Sequence, residues 1–412
     1  MSVVGFYAFN FDCQILVVNM RRRYSVALIV ETSSNYGRNL LDGIVRFKKT
    51  QSDWSVFLEE RDLRGGPPEW LIDWNGDGII CRSTNPEIAQ MVRSRKIPFV
   101  DLNDRRSGNS EFVTLRSDDH AIGRLGARHF MGRGFRSFGF FGFDQEAWSR
   151  RREESFVKEL KQKRHECSIL KSKWHGLSNR ELDQPRKFSL AYERKRITSW
   201  LKGLPKPVGI MASNDIAGKN ILDCCLLAEI AVPEQVAVLG VDNNEVICNL
   251  CEPPLSSVMP NSEQIGFSAA ERLAKLMAGE KVTPRLQCFD PLDVRLRQSS
   301  SVYAIEDPEL ATALSFLRTN ACFGISVKQV LEHTKLSRSS LERRMRKLLG
   351  HSPQQEIRNC QLKQVRSLLA KTDMSIEQIA INCGFEHPEY LHVVFKRELN
   401  MTPGDYRKAL NK

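Results

Sequence analysis

Between residues 24 and 297, short runs of β-branched and aromatic residues alternate with longer stretches whose apolar residues recur three or four apart. The runs Ser25–Val30, Trp54–Glu59, Gly78–Cys81, Pro98–Leu102, Phe112–Leu115, Phe138–Phe141, Val208–Ala212 and Val236–Val241 predict strands. Leu40, Leu41, Ile44, Val45 and Phe47 mark one of the amphipathic helices between them. Strands alternating with helices build a parallel, doubly wound sheet. A stretch of about 270 residues is large for one such sheet, so the pattern predicts an α/β domain of two lobes. A ligand of that architecture binds in the crevice between the lobes, at the carboxyl ends of the strands.

Residues 298–308 read as a polar linker that ends in a helix-start signal, Glu306-Asp307-Pro308. From 309 to 412 no strand-like run remains, and the pattern is helical throughout. This tail repeats itself. Val327, Val330, Leu331 and Leu336 return 49 residues later as Ile376, Ile379, Ala380 and Phe385; with one inserted residue, Leu341, Met345, Ser352 and Pro353 return as Leu391, Phe395, Thr402 and Pro403. Each unit is a short helix, a tight turn and a second amphipathic helix, which predicts a helix-turn-helix written twice.

Such a motif reads DNA through the N-terminal part of its second helix, where side chains reach base edges in the major groove. Arg338, Ser339, Ser340 and Arg343 occupy that place in the first unit, with Arg344, Arg346 and Lys347 within reach of phosphates. The second unit offers His387, Glu389, Tyr390, His392 and Lys396, a less basic set. Pro388 fits a helix only in its first turn.

Charge adds modestly to this picture. The 412-residue chain carries a net +12, and residues 306–412 hold 17 basic against 12 acidic residues, so an anionic partner is favoured but not named. No apolar run is long enough to span a membrane as a helix, which rules out a transmembrane helix. Eleven cysteines without a secretion signal predict reduced thiols in a cytoplasmic protein. Cys248-Asn-Leu-Cys251 has no second pair to complete a zinc site and reads as ordinary thiols, so no metal and no cofactor is expected. There is no phosphate-binding loop, dinucleotide fingerprint or nucleophile elbow to ask for an enzyme. Met20 before Arg21-Arg22-Arg23 reads as a natural start, so residues 1–19 are expected to come from a misassigned upstream start, and residues 1–23 as a whole form an N-terminal extension before the fold.

The tail resembles the DNA-binding domain of the AraC family. The likeness rests on Ser337–Arg343, Leu348–Pro353, Ser375–Ala380, Cys383-Gly384-Phe385 and Thr402–Arg407. It implies two helix-turn-helices joined by a helix near Gln354–Ala370 and seated in successive major grooves. The larger domain resembles the sugar-binding core of LacI/GalR-type repressors, itself similar to periplasmic sugar-binding proteins. That likeness rests on Tyr36-Gly37-Arg38, Asp118-Asp119-His120, Arg152–Phe156, Asn214-Asp215 and Gly240–Asn244. A sensor of this type ahead of an AraC-type tail resembles the bacterial xylose regulators, and Trp200–Pro205, Ile230–Gln235 and Leu255–Val258 extend the match.

The resemblance implies a homodimeric activator that takes D-xylose as effector, binds a double-stranded operator and contacts RNA polymerase. It implies Arg152, Asp215 and Asp242 as sugar contacts, with Tyr36, Asp118 and Asn214 behind them. The chemistry agrees independently: hydroxyls that both donate and accept call for carboxylates, an Arg fork and an aromatic face. Asp215 and Asp242 each follow a predicted strand, where the alternative role of an Asp is that of a turn or cap residue. A different sugar, a carbohydrate-binding protein without DNA function, and an enzyme acting in the crevice remain as alternatives.

Overall fold

The computed structural model describes residues 23–51, 53–60, 68–104, 111–172, 190–301, 307–372 and 374–410. The expected N-terminal extension, apart from Arg23, and residues 302–306 of the expected linker lie outside them.

Two six-stranded sheets form the larger domain. Lobe 1 takes β1 (Tyr24–Ile29), β2 (Trp54–Leu58), β3 (Gly78–Cys81), β4 (Phe99–Asp101), β5 (Val113–Ser117) and, from far downstream, β11 (Leu286–Phe289), in the order β11-β5-β4-β3-β1-β2. Lobe 2 takes β6 (Ser137–Phe143), β7 (Cys167–Ser172), β8 (Val208–Ala212), β9 (Val236–Val241), β10 (Ser256–Met259) and β12 (Asp293–Arg295), in the order β12-β10-β9-β8-β6-β7. Every pairing is parallel except β10 with β12. β7 and β10–β12 escape the sequence pattern, because β7, β11 and β12 are half-exposed edge strands and β10, Ser256–Met259, opens on two serines and leaves only two apolar residues.

The helices of lobe 1 are α1 (Asn35–Gln51) and α2 (Pro86–Arg95); those of lobe 2 are α3 (Asp119–Met131), α4 (Ala147–Gln162), α5 (Leu190–Gly203), α6 (Asp215–Leu227) and α7 (Glu245–Leu250). α8 (Ser262–Met277) follows a lobe 2 strand but lies on α1 of lobe 1. Glycine makes that return possible: a Cβ on Gly43 would collide with the Glu263 carbonyl, and one on Gly266 with that of Leu40. The chain therefore crosses between lobes three times, at residues 117–119, 259–262 and 289–293.

The expected linker starts too early. Gln298–Ser300 form a 3-10 turn in which Ser299 and Ser300 are fully buried. Ser299 Oγ donates to the Val238 carbonyl at 2.6 Å, and Ser300 Oγ meets His129 Nε2 at 2.9 Å, so these polar residues finish lobe 2.

The tail consists of α9 (Pro308–Asn320), α10 (Val327–Glu332), α11 (Arg338–Leu349), α12 (Pro353–Lys371), α13 (Ile376–Asn382), α14 (Pro388–Leu399) and α15 (Pro403–Leu410). It has two cores. One gathers α9, Val330, Leu336, Leu341, Met345 and Ile357; the other gathers Ile379, Phe385, Leu391, Phe395, Leu362, Val365 and Leu369. α12 serves the first core with its N-terminal half and the second with the rest. The repeat extends to the caps. α10 and α13 both open with a capping box, Ser326 with Gln329 and Ser375 with Gln378. α11 and α14 both end in a left-handed residue, Gly350 (φ 78°) and Asn400 (φ 56°). Among the described residues no helix is long and apolar enough to cross a membrane.

Candidate effector crevice and DNA-reading face

The crevice lies where strands of both lobes end. From lobe 1, Glu31 just past β1 pairs with Arg82 just past β3, and Arg82 Nη2 lies 3.0 Å from Asp104 Oδ2. The Arg82 guanidinium sits 4.5 Å from the centre of the Tyr36 ring, whose hydroxyl meets Ser117 Oγ at 2.9 Å. From lobe 2, Arg151 and Arg152 share Asp119: Arg151 Nη2 reaches Oδ2 at 2.7 Å and Arg152 Nε reaches Oδ1 at 2.9 Å. Arg152 also donates to the Ser213 carbonyl at 2.6 Å, covers the Trp148 ring at 4.8 Å, and stands 3.9 Å from Asp242. Asn35 Nδ2 donates to the Asp242 carbonyl at 3.3 Å and Arg151 Nη2 to the Asp104 carbonyl at 2.8 Å, and both bonds bridge the lobes.

Glu31, Asp104, Asp119 and Asp242 thus face Arg82, Arg151 and Arg152, nearly balanced in charge and, apart from the partly exposed Asp242 and Arg151, almost wholly buried. Buried charges persist where they are paired in this way. Five buried polar atoms around them still lack a partner among the described residues: Glu31 Oε2, Arg82 Nε, Ser83 Oγ, Asp104 Oδ1 and Ser213 Oγ. Carboxylate acceptors, a guanidinium donor and hydroxyls in one crevice suit a ligand with several hydroxyls, each able to donate and accept.

Of the residues expected to touch sugar, Arg152, Asp242 and Tyr36 stand in this cluster. Asp242 has φ 104°, a strained conformation for a residue with a Cβ, and keeps a side chain 23% exposed. Burial pushes its carboxyl up to about 6, against the pull of Arg152 and Arg82. Burial also raises the Tyr36 phenol, so it stays protonated.

The other three have structural partners. Asp215 accepts from Ser257 Oγ at 2.6 Å and from the Asn244 amide at 2.7 Å, which braces the turn carrying Asp242, and burial lifts its carboxyl to about 7. Asn214 caps α6 and Asp118 caps α3, each accepting from the amide three residues on. Glu31, Arg82, Asp104, Asp119 and Arg151 were missed. All but Arg151 follow the end of a lobe 1 strand, the signal that singled out Asp215 and Asp242.

In the tail, Leu341 and Met345 face inward, so helical periodicity turns Ser339, Arg343, Arg346 and Lys347 outward, all exposed. Arg338 is exposed beside Glu342 at 3.3 Å, and Ser340 is half-buried with its amide donating to the capping Ser337. Arg344 is turned away from that face: its Nη1 lies 2.6 Å from Asp307 and 3.5 Å from Glu309, tying α11 to the start of α9. The corresponding outward face of α14 carries Glu389, Val393 and Lys396, with His392 beside it. His387 is the N-cap and Pro388 the first helical residue, where proline is tolerated. Tyr390 leans on α12, its hydroxyl 3.2 Å from an Arg358 guanidinium that covers its ring. Among the described residues, no three His, Cys, Asp or Glu side chains group as metal ligands.

Residues 25–114 match the family described as XylR N-terminal domain, 127–300 a periplasmic binding protein-like domain, and 330–409 a helix-turn-helix domain. The chain is 30% identical over 391 residues to the xylose operon regulatory protein of Haemophilus influenzae, covering 93% of this chain and 98% of that one. The protein of the same description from Escherichia coli K12 is 29% identical, over 94% and 97%. A solved structure described as a xylose-binding transcription activator superposes with a TM-score of 0.80 at 27% identity, over 94% of this chain and 98% of that one. A LacI family regulator from Enterococcus faecalis with bound ribose shares the fold over 68% of this chain, at a TM-score of 0.54 and 18% identity. With a double helix-turn-helix behind a sugar-sensing domain, and with such identity along nearly its whole length, the chain belongs to the xylose operon regulatory protein family, DNA-binding transcription regulators rather than enzymes.

Proposed function

We propose that the chain is a xylose-induced activator of xylose-utilisation genes, with D-xylose held in the crevice by Arg152, Asp242, Glu31, Arg82 and Asp104. The observation that carries this reading is the set of partnerless polar atoms beside a nearly balanced charge cluster. Relatives whose descriptions name xylose support the choice of sugar. A sugar that takes hydrogen bonds from both lobes favours their closed arrangement. By linkage it changes operator affinity only as far as it binds the open and closed states differently, about 1–3 kcal/mol in typical cases.

Ser339, Arg343, Glu389, Val393 and Lys396 would then face base edges, with Arg346 and Lys347 on phosphates. Two copies bind together in this reading. Ile216, Leu226 and Leu227 on α6 and Val246 and Leu250 on α7 are exposed apolar side chains on neighbouring lobe 2 helices, which suit a second copy. RNA polymerase is the further partner an activator needs, and the cytoplasm, at the nucleoid, is where all three meet.

Titration calorimetry of the full chain with D-xylose, L-arabinose, D-ribose and D-glucose tests the sugar. Selective heat from D-xylose that Arg152→Met abolishes is expected. Selectivity for another of the four would replace the effector, and no heat from any would remove the sugar assignment.

A further inference from the structure

Glu234 lies in the loop before β9 and its side chain is fully buried. One of its oxygens accepts from Arg318 Nη1 at 3.1 Å; the other, Oε2, has no partner among the described residues. Arg318 belongs to α9, the first helix of the tail, so this ion pair joins the sensor to the DNA-binding domain. The same guanidinium donates through Nε to Glu356 Oε1 of α12 at 2.8 Å, and Glu356 Oε2 lies 3.3 Å from His351 Nε2. One planar group therefore fixes lobe 2, the entry helix of the tail and the helix that both tail cores share.

Two buried carboxylates on a single arginine make a poor device for stability, because removing both charges from water costs much of what their attraction returns. What such a group supplies is geometry. The guanidinium is rigid and planar, so acids held on its Nη1 and Nε have a fixed mutual angle, which a lysine ammonium cannot enforce. Its place in lobe 2 adds to this. Glu234 is two residues ahead of β9, a central strand paired on both sides with no exposed apolar residue, and Asp242 of the crevice directly follows the other end. The crevice and the tail contact thus sit at opposite ends of one rigid strand, roughly 20 Å apart.

We propose that Glu234 and Arg318 are positioning residues that dock the DNA-binding tail on lobe 2 and carry the effector's influence to it. With the tail held by lobe 2, closure swings lobe 1 against a body that contains both β9 and the recognition helices. The inference rests on the sugar reading only for the ligand used to test it.

The experiment uses the full chain with Glu234→Gln and Arg318→Lys, which keep nearly the same volume. Hydrogen exchange without ligand reports docking, and operator affinity with and without saturating D-xylose reports coupling. Both variants are expected to exchange about 10-fold faster along α9 while β9 and α14 keep their protection. The sugar-dependent change in operator affinity, of the 5- to 150-fold order usual for coupled sites, is expected to fall towards one. A merely structural ion pair would loosen α9 and leave that ratio alone. Unchanged exchange along α9 in both variants, or a ratio within about twofold of the parent, overturns the proposal. If the parent itself responds to no sugar, the sugar reading fails separately, and exchange along α9 alone decides whether Glu234 and Arg318 hold the tail.

Discussion

The crevice and the recognition face both depend on arginine, in opposite ways. Arg152 is 3% exposed and meets Asp119, Ser213 and Trp148, while Arg343 is exposed on the outer side of α11. In the proposed reading a small neutral ligand meets a site already balanced in charge and is recognised by the few polar atoms left without partners. A polyanion meets unpaired cations, so attraction comes first and selection second. The two helix-turn-helices differ along the same line: the position that holds Arg343 in the first holds Val393, 61% exposed, in the second.

The largest expected effect tests whether crevice charges truly depend on one another. Asp119→Ala strands two adjacent guanidiniums and is expected to cost about 3–5 kcal/mol, whereas Glu342→Ala beside the exposed Arg338 changes stability by less than about 1 kcal/mol. Tryptophan fluorescence during urea unfolding reads the first cleanly, because all six tryptophans precede residue 201. A small loss for Asp119→Ala would make the two sites alike and end the contrast.

Next comes the reading of bases. Arg343→Ala is expected to weaken operator binding by about 1–3 kcal/mol with less effect on random DNA, and Arg346→Ala to weaken both and lower the salt slope by about one. Fluorescence anisotropy across a salt series separates them. An apolar side chain reads the methyl of thymine, so replacing a thymine by uracil in the groove that takes α14 should weaken the parent more than the shorter Val393→Ala. Equal losses on every sequence would reduce both units to phosphate grips.

The caps come after that. Ser326→Ala and Ser375→Ala remove equivalent capping boxes and should each cost about 1 kcal/mol in the tail, read by circular dichroism. Unequal losses would show that the two units are repeats in sequence but not in energetics.

A last test concerns pH. Burial raises Asp215 to about 7 and Asp242 to about 6, so the folded chain keeps protons that the unfolded chain has already released. Their favourable contribution is complete below the ordinary carboxylate range and is lost as the pH rises through those two values. Asp215→Asn should flatten the fall in sensor stability over that window, seen as urea midpoints that vary less with pH.

Legibility followed the same divide. The tail's repeat was readable because its determinants are local: Val330 with Ile379 and Leu341 with Leu391 are buried pairs, 49 and 50 residues apart on either side of a single insertion. Even Arg344 could have been set aside, since it stands next to Leu341 and Met345 on the helix rather than opposite them. In the crevice only Asp242 was readable beside a strand, while Arg152 and Tyr36, both within helices, rested on the resemblance. Arg82 pairs with Glu31 across 51 residues and Arg151 with Asp119 across 32, distances over which a periodic pattern holds no information. Asp118 and Asp119 show the limit, as neighbours of one type of which the first caps a helix and the second holds two arginines.

The close crossing of α1 and α8 at Gly43 and Gly266 has a consequence for how the chain is made. Lobe 1 begins at Tyr24 but is completed only by α8 and β11, so its first helix waits through the synthesis of nearly all of lobe 2 for its covering partner. Order of emergence and order of assembly therefore part company in the sensor, where lobe 2 can close while lobe 1 is still open. A chain broken off between residues 132 and 261 leaves the ribosome with the apolar side of α1 bare, a fragment fit for chaperones and proteases. The tail is free of that delay, since each helix-turn-helix closes on its own neighbours.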